Sequence, residues 1–207
     1  MRFGYNTGMD PAISSFAFVV SLVAVINGLG IVRLLSSFAE YLRRRRTLQM
    51  GHFWIYYVQT TFQLLIHVLL WWSILGLSEA GNLNFLTYLY LLVGPTLLFL
   101  STSLLIPDAD TDAIDLRSEY LAFRKDYYSM IAAFWLWVIF IWPVFVGRFA
   151  PTVKIFVVYL AISLLQRFSA NLKLHGTMVV ANCILFAEFV GLFAMQLGGA
   201  ARSMMQS

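Results

Sequence analysis

Two ionisable side chains lie deep inside apolar runs of this 207-residue chain, and they set the chemistry to look for. Glu188 is about 13 residues beyond His175, so in a helix rising ~1.5 Å per residue it stands roughly 20 Å from the start of its run. His67 is about 15 residues beyond His52 in another run, at a similar depth. A carboxylate and an imidazole at one level can share a proton or hold a cation, the usual use of ionisable groups within a bilayer. Two plainer readings stay open for Glu188: a protonated carboxyl bonded to a neighbouring helix, or a place near the outer interface. For His67 the plainer reading is an interhelical hydrogen bond.

Gln59, Thr60, Gln63 and His67 follow one another at intervals of one, three and four residues, which makes a polar stripe on one helix. Such a stripe either lines a polar path or bonds helix to helix. Asn27, next to Gly28 and close to Gly30, suits a close helix approach with a hydrogen bond, and a substrate contact is the other reading.

Other patterns fall short of a site. His52 and His175 begin two apolar runs, yet a pair of histidines without further ligands is a poor case for haem or a metal. Asp108, Asp110 and Asp112 lack the glycine and terminal glutamate of a calcium loop, so they read as a solvated loop or helix caps. Cys183 is the single cysteine, which rules out a disulfide framework and a cysteine metal site. No nucleophile triad or phosphate-binding glycine loop is present. An enzyme is therefore the least expected class, with no metal and no cofactor.

The elements that position these residues follow from composition. The chain is 60% hydrophobic and 12% charged, whereas soluble domains carry roughly 25% charged residues. Apolar runs of helical length recur, without the alternation of a membrane β-barrel. The expected fold is all-α: a polytopic six-transmembrane-helix bundle with a long first helix, forming a single transmembrane domain over 1–207. Its spans fall at about 12–33, 52–77, 85–105, 128–146, 152–170 and 175–197, with an acidic loop at about 107–126. Asp10-Pro11 starts the first helix, Gly94-Pro95 predicts a kink in the third, and an amphipathic helix begins near Asp115. Residues 1–10 lack the basic region of a signal peptide, so the first run is read as retained.

Arg43, Arg44, Arg45 and Arg46 orient the bundle, because short loops rich in Lys and Arg stay in the cytoplasm. With that cluster inside, Arg117, Arg124, Lys125, Arg167 and Lys173 also fall inside, while Arg2, Arg148, Lys154 and Arg202 fall outside. Both termini are then periplasmic if the source is bacterial. The arginines meet anionic lipid headgroups or a partner. The net charge of +4 comes without any soluble recognition element, which excludes nucleic acid. A weak internal repeat links Leu34-Leu35 through Arg43 with Leu164-Leu165 through Lys173, each ending a descending helix.

Gly28-Leu29-Gly30 followed by Leu34-Leu35 and a basic cluster, Trp71-Trp72 closing a run, Pro107-Asp108, and His175 opening the last run form a pattern that covers most of the chain. It resembles a group of small bacterial six-helix inner-membrane proteins with no assigned activity. The resemblance implies a bacterial inner membrane and carries over no catalytic residue.

The leading expectation is permeation of a small solute or ion through a polar centre of Glu188, His67, Gln63, Gln59 and Asn27. The alternative is a non-catalytic membrane scaffold that presents the arginines and the acidic segment to cytoplasmic proteins or lipids. Expected partners are the bilayer, its anionic headgroups and further copies of the chain.

Overall fold

The computed structural model describes residues 11–44, 53–74, 84–106 and 115–191. They form six α-helices: α1 (Pro11–Arg44), α2 (Trp54–Ile74), α3 (Phe85–Leu105), α4 (Leu116–Val146), α5 (Val153–Phe168) and α6 (Leu172–Phe189). No strand occurs among the described residues. Asp10, His52, Pro107 to Asp112, Arg45, Arg46 and residues 192–207 lie outside them.

Local chemistry sets the helix ends. Asn84 and Thr87 form a capping box at the start of α3, with Thr87 N–H donating to Asn84 Oδ1 at 3.0 Å and Asn84 N–H to Thr87 Oγ1 at 2.8 Å. Asp115 and Asn171 cap α4 and α6 in the same spirit, each accepting from a backbone N–H two residues on. Gly147 ends α4 at φ 77°, a left-handed conformation that favours glycine, and its N–H closes onto the Pro143 carbonyl. The helix α3 continues through Pro95 without interruption.

One boundary differs from expectation. The amphipathic helix expected from near Asp115 does begin there, but it is not separate from the fourth span: residues 116–126 are the first three turns of α4, which runs unbroken for 31 residues. Leu116, Tyr120 and Tyr127 recur at helical spacing and are all buried, so the inward face continues from one segment into the next with no reason to break.

Each helix runs opposite to the one before it. Tyr41 meets Tyr57 and Asn27 meets His67, so α1 and α2 are antiparallel. Tyr90 meets Trp137 while residues 101 and 127 both meet Gln63, which does the same for α3 and α4. Trp135 stacks on Tyr159 and Arg124 bonds to the Ser169 carbonyl, which makes α4 and α5 antiparallel. The helix α2 is central: its side chains reach Asn27 on α1, Ser101 on α3, Tyr127 on α4, Tyr159 on α5 and Phe186 on α6. Its exposed residues are Trp54, Thr61, Leu65, Val68, Trp72 and Ser73.

The outer surface is apolar. Val25, Leu29 and Val32 on α1, Leu86 and Leu89 on α3, Leu136 and Phe140 on α4 and Ile184 on α6 are all exposed, which water would not tolerate over so large an area. Val20–Arg43, Phe85–Leu105, Leu116–Val146 and Leu172–Phe189 are each long and apolar enough to cross a membrane. The two remaining helices fall short for different reasons. The 21-residue α2 carries Gln59, Thr60, Thr61, Gln63 and His67, and α5 has only 16 residues.

Candidate functional site

The polar stripe of α2 is the middle of a hydrogen-bonded chain that joins five of the six helices. It begins on α1, where Asn27 Oδ1 lies 2.7 Å from His67 Nδ1 and the Asn27 amide donates to the His67 carbonyl at 3.1 Å. His67 Nε2 lies 2.9 Å from Thr102 Oγ1 on α3. Gln63 donates to Thr102 at 3.2 Å, to Ser101 at 2.7 Å and to the Leu98 carbonyl at 3.3 Å. Its oxygen accepts from the Tyr127 hydroxyl on α4 at 2.9 Å, and Tyr127 accepts from Gln59 at 2.7 Å. Gln59 Oε1 then stands 3.5 Å from the Tyr128 hydroxyl. Tyr128 meets Tyr120 at 2.7 Å, Tyr120 meets His175 Nδ1 on α6 at 2.7 Å, and His175 Nε2 reaches the Ser169 carbonyl at 3.0 Å. Every side chain in this chain is buried.

The acceptors fix the protons. A carbonyl oxygen only accepts, so the Asn27 amide must offer its nitrogen to the His67 carbonyl and its oxygen to the ring. His67 therefore carries its hydrogen on Nδ1, and its bare Nε2 accepts from Thr102. Thr102 in turn accepts from Gln63, Gln63 from Tyr127 and Tyr127 from Gln59, so this half of the chain points one way, from Gln59 to Asn27. At the other end the Ser169 carbonyl requires a hydrogen on His175 Nε2, so Nδ1 accepts from Tyr120 and Tyr120 accepts from Tyr128. That half points the opposite way. No carboxylate is among the partners of either ring to hold an imidazolium; as neutral rings the two histidines are in opposite tautomers, and the polarity changes between Gln59 and Tyr128, at the longest contact of the chain.

Glycine makes room for the ring. A Cβ at Gly30 would overlap the His67 imidazole, so the absence of a side chain lets the ring lie against the α1 backbone. Gly28 has nothing within 4 Å of the corresponding position and plays no such part. A second pair works in the same way one helix over, where Gly94 on α3 admits the Trp137 ring and Tyr90 and Trp137 exchange hydrogen bonds, hydroxyl to carbonyl at 3.0 Å and indole to carbonyl at 2.8 Å.

Of the residues expected at a polar centre, Asn27, Gln59, Gln63 and His67 come together. Glu188 does not join them. It is exposed on the outer face of α6, whereas both ring nitrogens of His67 are engaged by Asn27 and Thr102. The inward stripe of α6 is His175, Val179, Asn182 and Phe189, and residue 188 lies about 100° away from residue 189 around the helix. His175, near the start of α6, is fully buried with both nitrogens occupied, which leaves it no lone pair for haem. Tyr120, Tyr127 and Tyr128 were not expected at the site. Their sequence signal was the spacing of seven and eight residues, which puts three hydroxyls on one side of α4.

No group of three or more His, Cys, Asp or Glu that could hold a metal occurs among the described residues. Arg43 is exposed and pairs with Glu40 one turn earlier on α1, while Arg44 is the last residue of that helix. Beyond His67 the core turns apolar: a cavity of about 90 Å³ is lined by Ile66, Leu70, Ile74, Trp135, Trp142 and Phe189, with Ser73 as its single polar side chain. Such a cavity holds no water network.

Six helices in alternating directions, four of them of membrane-crossing length and composition, are consistent with a membrane protein. No family model, no curated protein and no solved structure matches the chain.

Proposed function

We propose that the chain is a six-span inner-membrane protein, with Arg43 to Arg46 and the acidic 107–114 connection in the cytoplasm and both ends in the periplasm, and that it serves as a non-catalytic membrane partner. The alternating helix directions support six crossings, with α2 sheltered by its five neighbours and α5 shortened within the bundle. One observation carries the functional reading: the α2 stripe bonds to α1, α3 and α4, with both nitrogens of His67 and the whole amide of Gln63 engaged. Side chains used in this way hold helices together. What the protein offers its surroundings is then its surface, the arginines toward anionic headgroups or an acidic cytoplasmic partner.

A second reading is favoured by two hydrogen-bonded rows, Gln59 to Asn27 and Tyr128 to Ser169, that meet at the 3.5 Å contact between Gln59 and Tyr128. A dry, hydrogen-bonded row of hydroxyls and imidazoles is a path for protons, although not for solutes. Here the amides of Gln63 and Gln59 stand between the relay-competent groups, and an amide must pass through its imidic acid form to hand a proton on.

Reconstitution separates the two. In liposomes loaded with a pH-sensitive dye, the wild-type protein is expected to leave an imposed pH gradient intact. Exchanging all four arginines for glutamine is expected to lower retention on vesicles carrying acidic lipid-anchored peptides or phosphatidylserine. A protein-dependent collapse of the gradient that Thr102→Val abolishes would replace the partner reading with proton passage.

A further inference from the structure

The α5 residue Gln166 is fully buried, and neither atom of its amide has a hydrogen-bond partner. Within a bilayer such an amide is among the most unfavourable groups to leave dry. The register of the bundle shows what lies at its level. Trp135 stacks on Tyr159 with centroids 4.4 Å apart, and lower down Arg124 Nε bonds to the Ser169 carbonyl at 3.2 Å, which pins α4 against α5 at two points. Seven residues are about two helical turns and return to nearly the same face. Stepping seven along each helix from the upper pin brings Tyr128 opposite Gln166. The Tyr159 hydroxyl likewise reaches the Asn182 carbonyl at 3.4 Å, and the same step on α6 brings His175 to that level.

We infer that Gln166 forms the wall of an internal water site between α4, α5 and α6 that ties α5 to the Tyr128–Tyr120–His175 chain. The partners for a bound water are present. Gln166 supplies a donor and an acceptor, the Tyr128 oxygen keeps a free lone pair because its proton goes to Tyr120, and the buried Ser163 hydroxyl, one turn away on the same face of α5, donates to the Tyr159 carbonyl and can still accept. Buried waters make about three such bonds. The ligand is neutral: the groups that would hold it are an amide, hydroxyls and an imidazole, Arg124 is engaged by the Ser169 and Leu121 carbonyls, and Arg167, whose Nε is buried without a hydrogen-bond partner, lies over the Phe168 ring. The water carries hydrogen bonding from the buried face of α5, whose C-cap Ser169 already accepts from His175, into the chain. The inference holds under either reading of function.

Two measurements on the full chain in lipid nanodiscs test it. Radiolytic hydroxyl-radical labelling in H2(18)O is expected to place heavy oxygen on Tyr128 although it is buried, with Trp135 one apolar layer above left unlabelled; equal absence of label at both would overturn the site. In thermal unfolding, Gln166→Met is expected to lower the melting temperature, and less so when Tyr128 is already Phe, because the bridging water is then lost. A higher melting temperature for Gln166→Met would show a dry amide relieved by an apolar side chain and would sink the inference. The labelling uses the wild type, so it decides the matter even where a variant fails to fold.

Discussion

The imidazole of His67 lies against the backbone of α1 at Gly30, so close that any Cβ there would overlap the ring. A glycine at that place and a histidine on the next helix are therefore one device. Gly30→Ala must push the ring away from both Asn27 and Thr102. We expect it to destabilise the protein by roughly 1–3 kcal/mol, as overpacking commonly does, read as a lower melting temperature in detergent. Gly28→Ala, with open space around it, is the control and should be neutral or slightly stabilising. Equal effects at the two positions would mean that the ring does not rest on Gly30.

The proton bookkeeping predicts opposite tautomers. Nitrogen NMR of the protein labelled at histidine should show His67 protonated on Nδ1 and His175 on Nε2, assigned through His67→Gln and His175→Gln variants. Each assignment follows from a backbone carbonyl that can only accept. Matching tautomers, or an imidazolium at either site, would contradict it.

Much of the fold was legible because apolar length is a direct demand of the bilayer: the run expected at 85–105 is the helix Phe85–Leu105. Rise per residue placed Glu188 deep within its run, but its direction around α6 was not used. The inward stripe His175, Val179, Asn182, Phe189 turns residue 188 outward, and that stripe could have been read from the sequence at helical spacing. Tyr120 was harder to find. It precedes the apolar run, and only the continuity of α4 into the bundle buries it.

Because Glu188 stands outside the network, neutralising it should matter little. Glu188→Gln is expected to stay within ~0.5 kcal/mol of the wild type, as surface changes usually do. His67→Leu, which strands the Asn27 oxygen and the Thr102 hydroxyl in a buried place, should be destabilising by roughly 1–3 kcal/mol for each group left unpaired. A reversed order in denaturant or thermal unfolding would return Glu188 to the centre of the bundle.

The polarity of the lower chain makes Tyr120 and Tyr128 unequal, although both are buried hydroxyls 2.7 Å apart. Tyr120 donates to His175, so Tyr120→Phe leaves Nδ1 of a fully buried imidazole without its donor and leaves the Tyr128 proton without its near acceptor. Tyr128 can then turn to Gln59 Oε1, now 3.5 Å away, which recovers one bond of the two. Tyr128→Phe strands no protein donor: Tyr120 keeps its bond to His175, and Gln59 loses only its longest contact. Tyr120→Phe should therefore cost about 1–2 kcal/mol more than Tyr128→Phe, the difference being one unpaired buried nitrogen. Adding His175→Phe to Tyr120→Phe removes that nitrogen as well, so the double variant should be less destabilised than the two single effects summed. Strict additivity in the unfolding free energies would mean that Tyr120 and His175 are not bonded and that the chain ends at Tyr128.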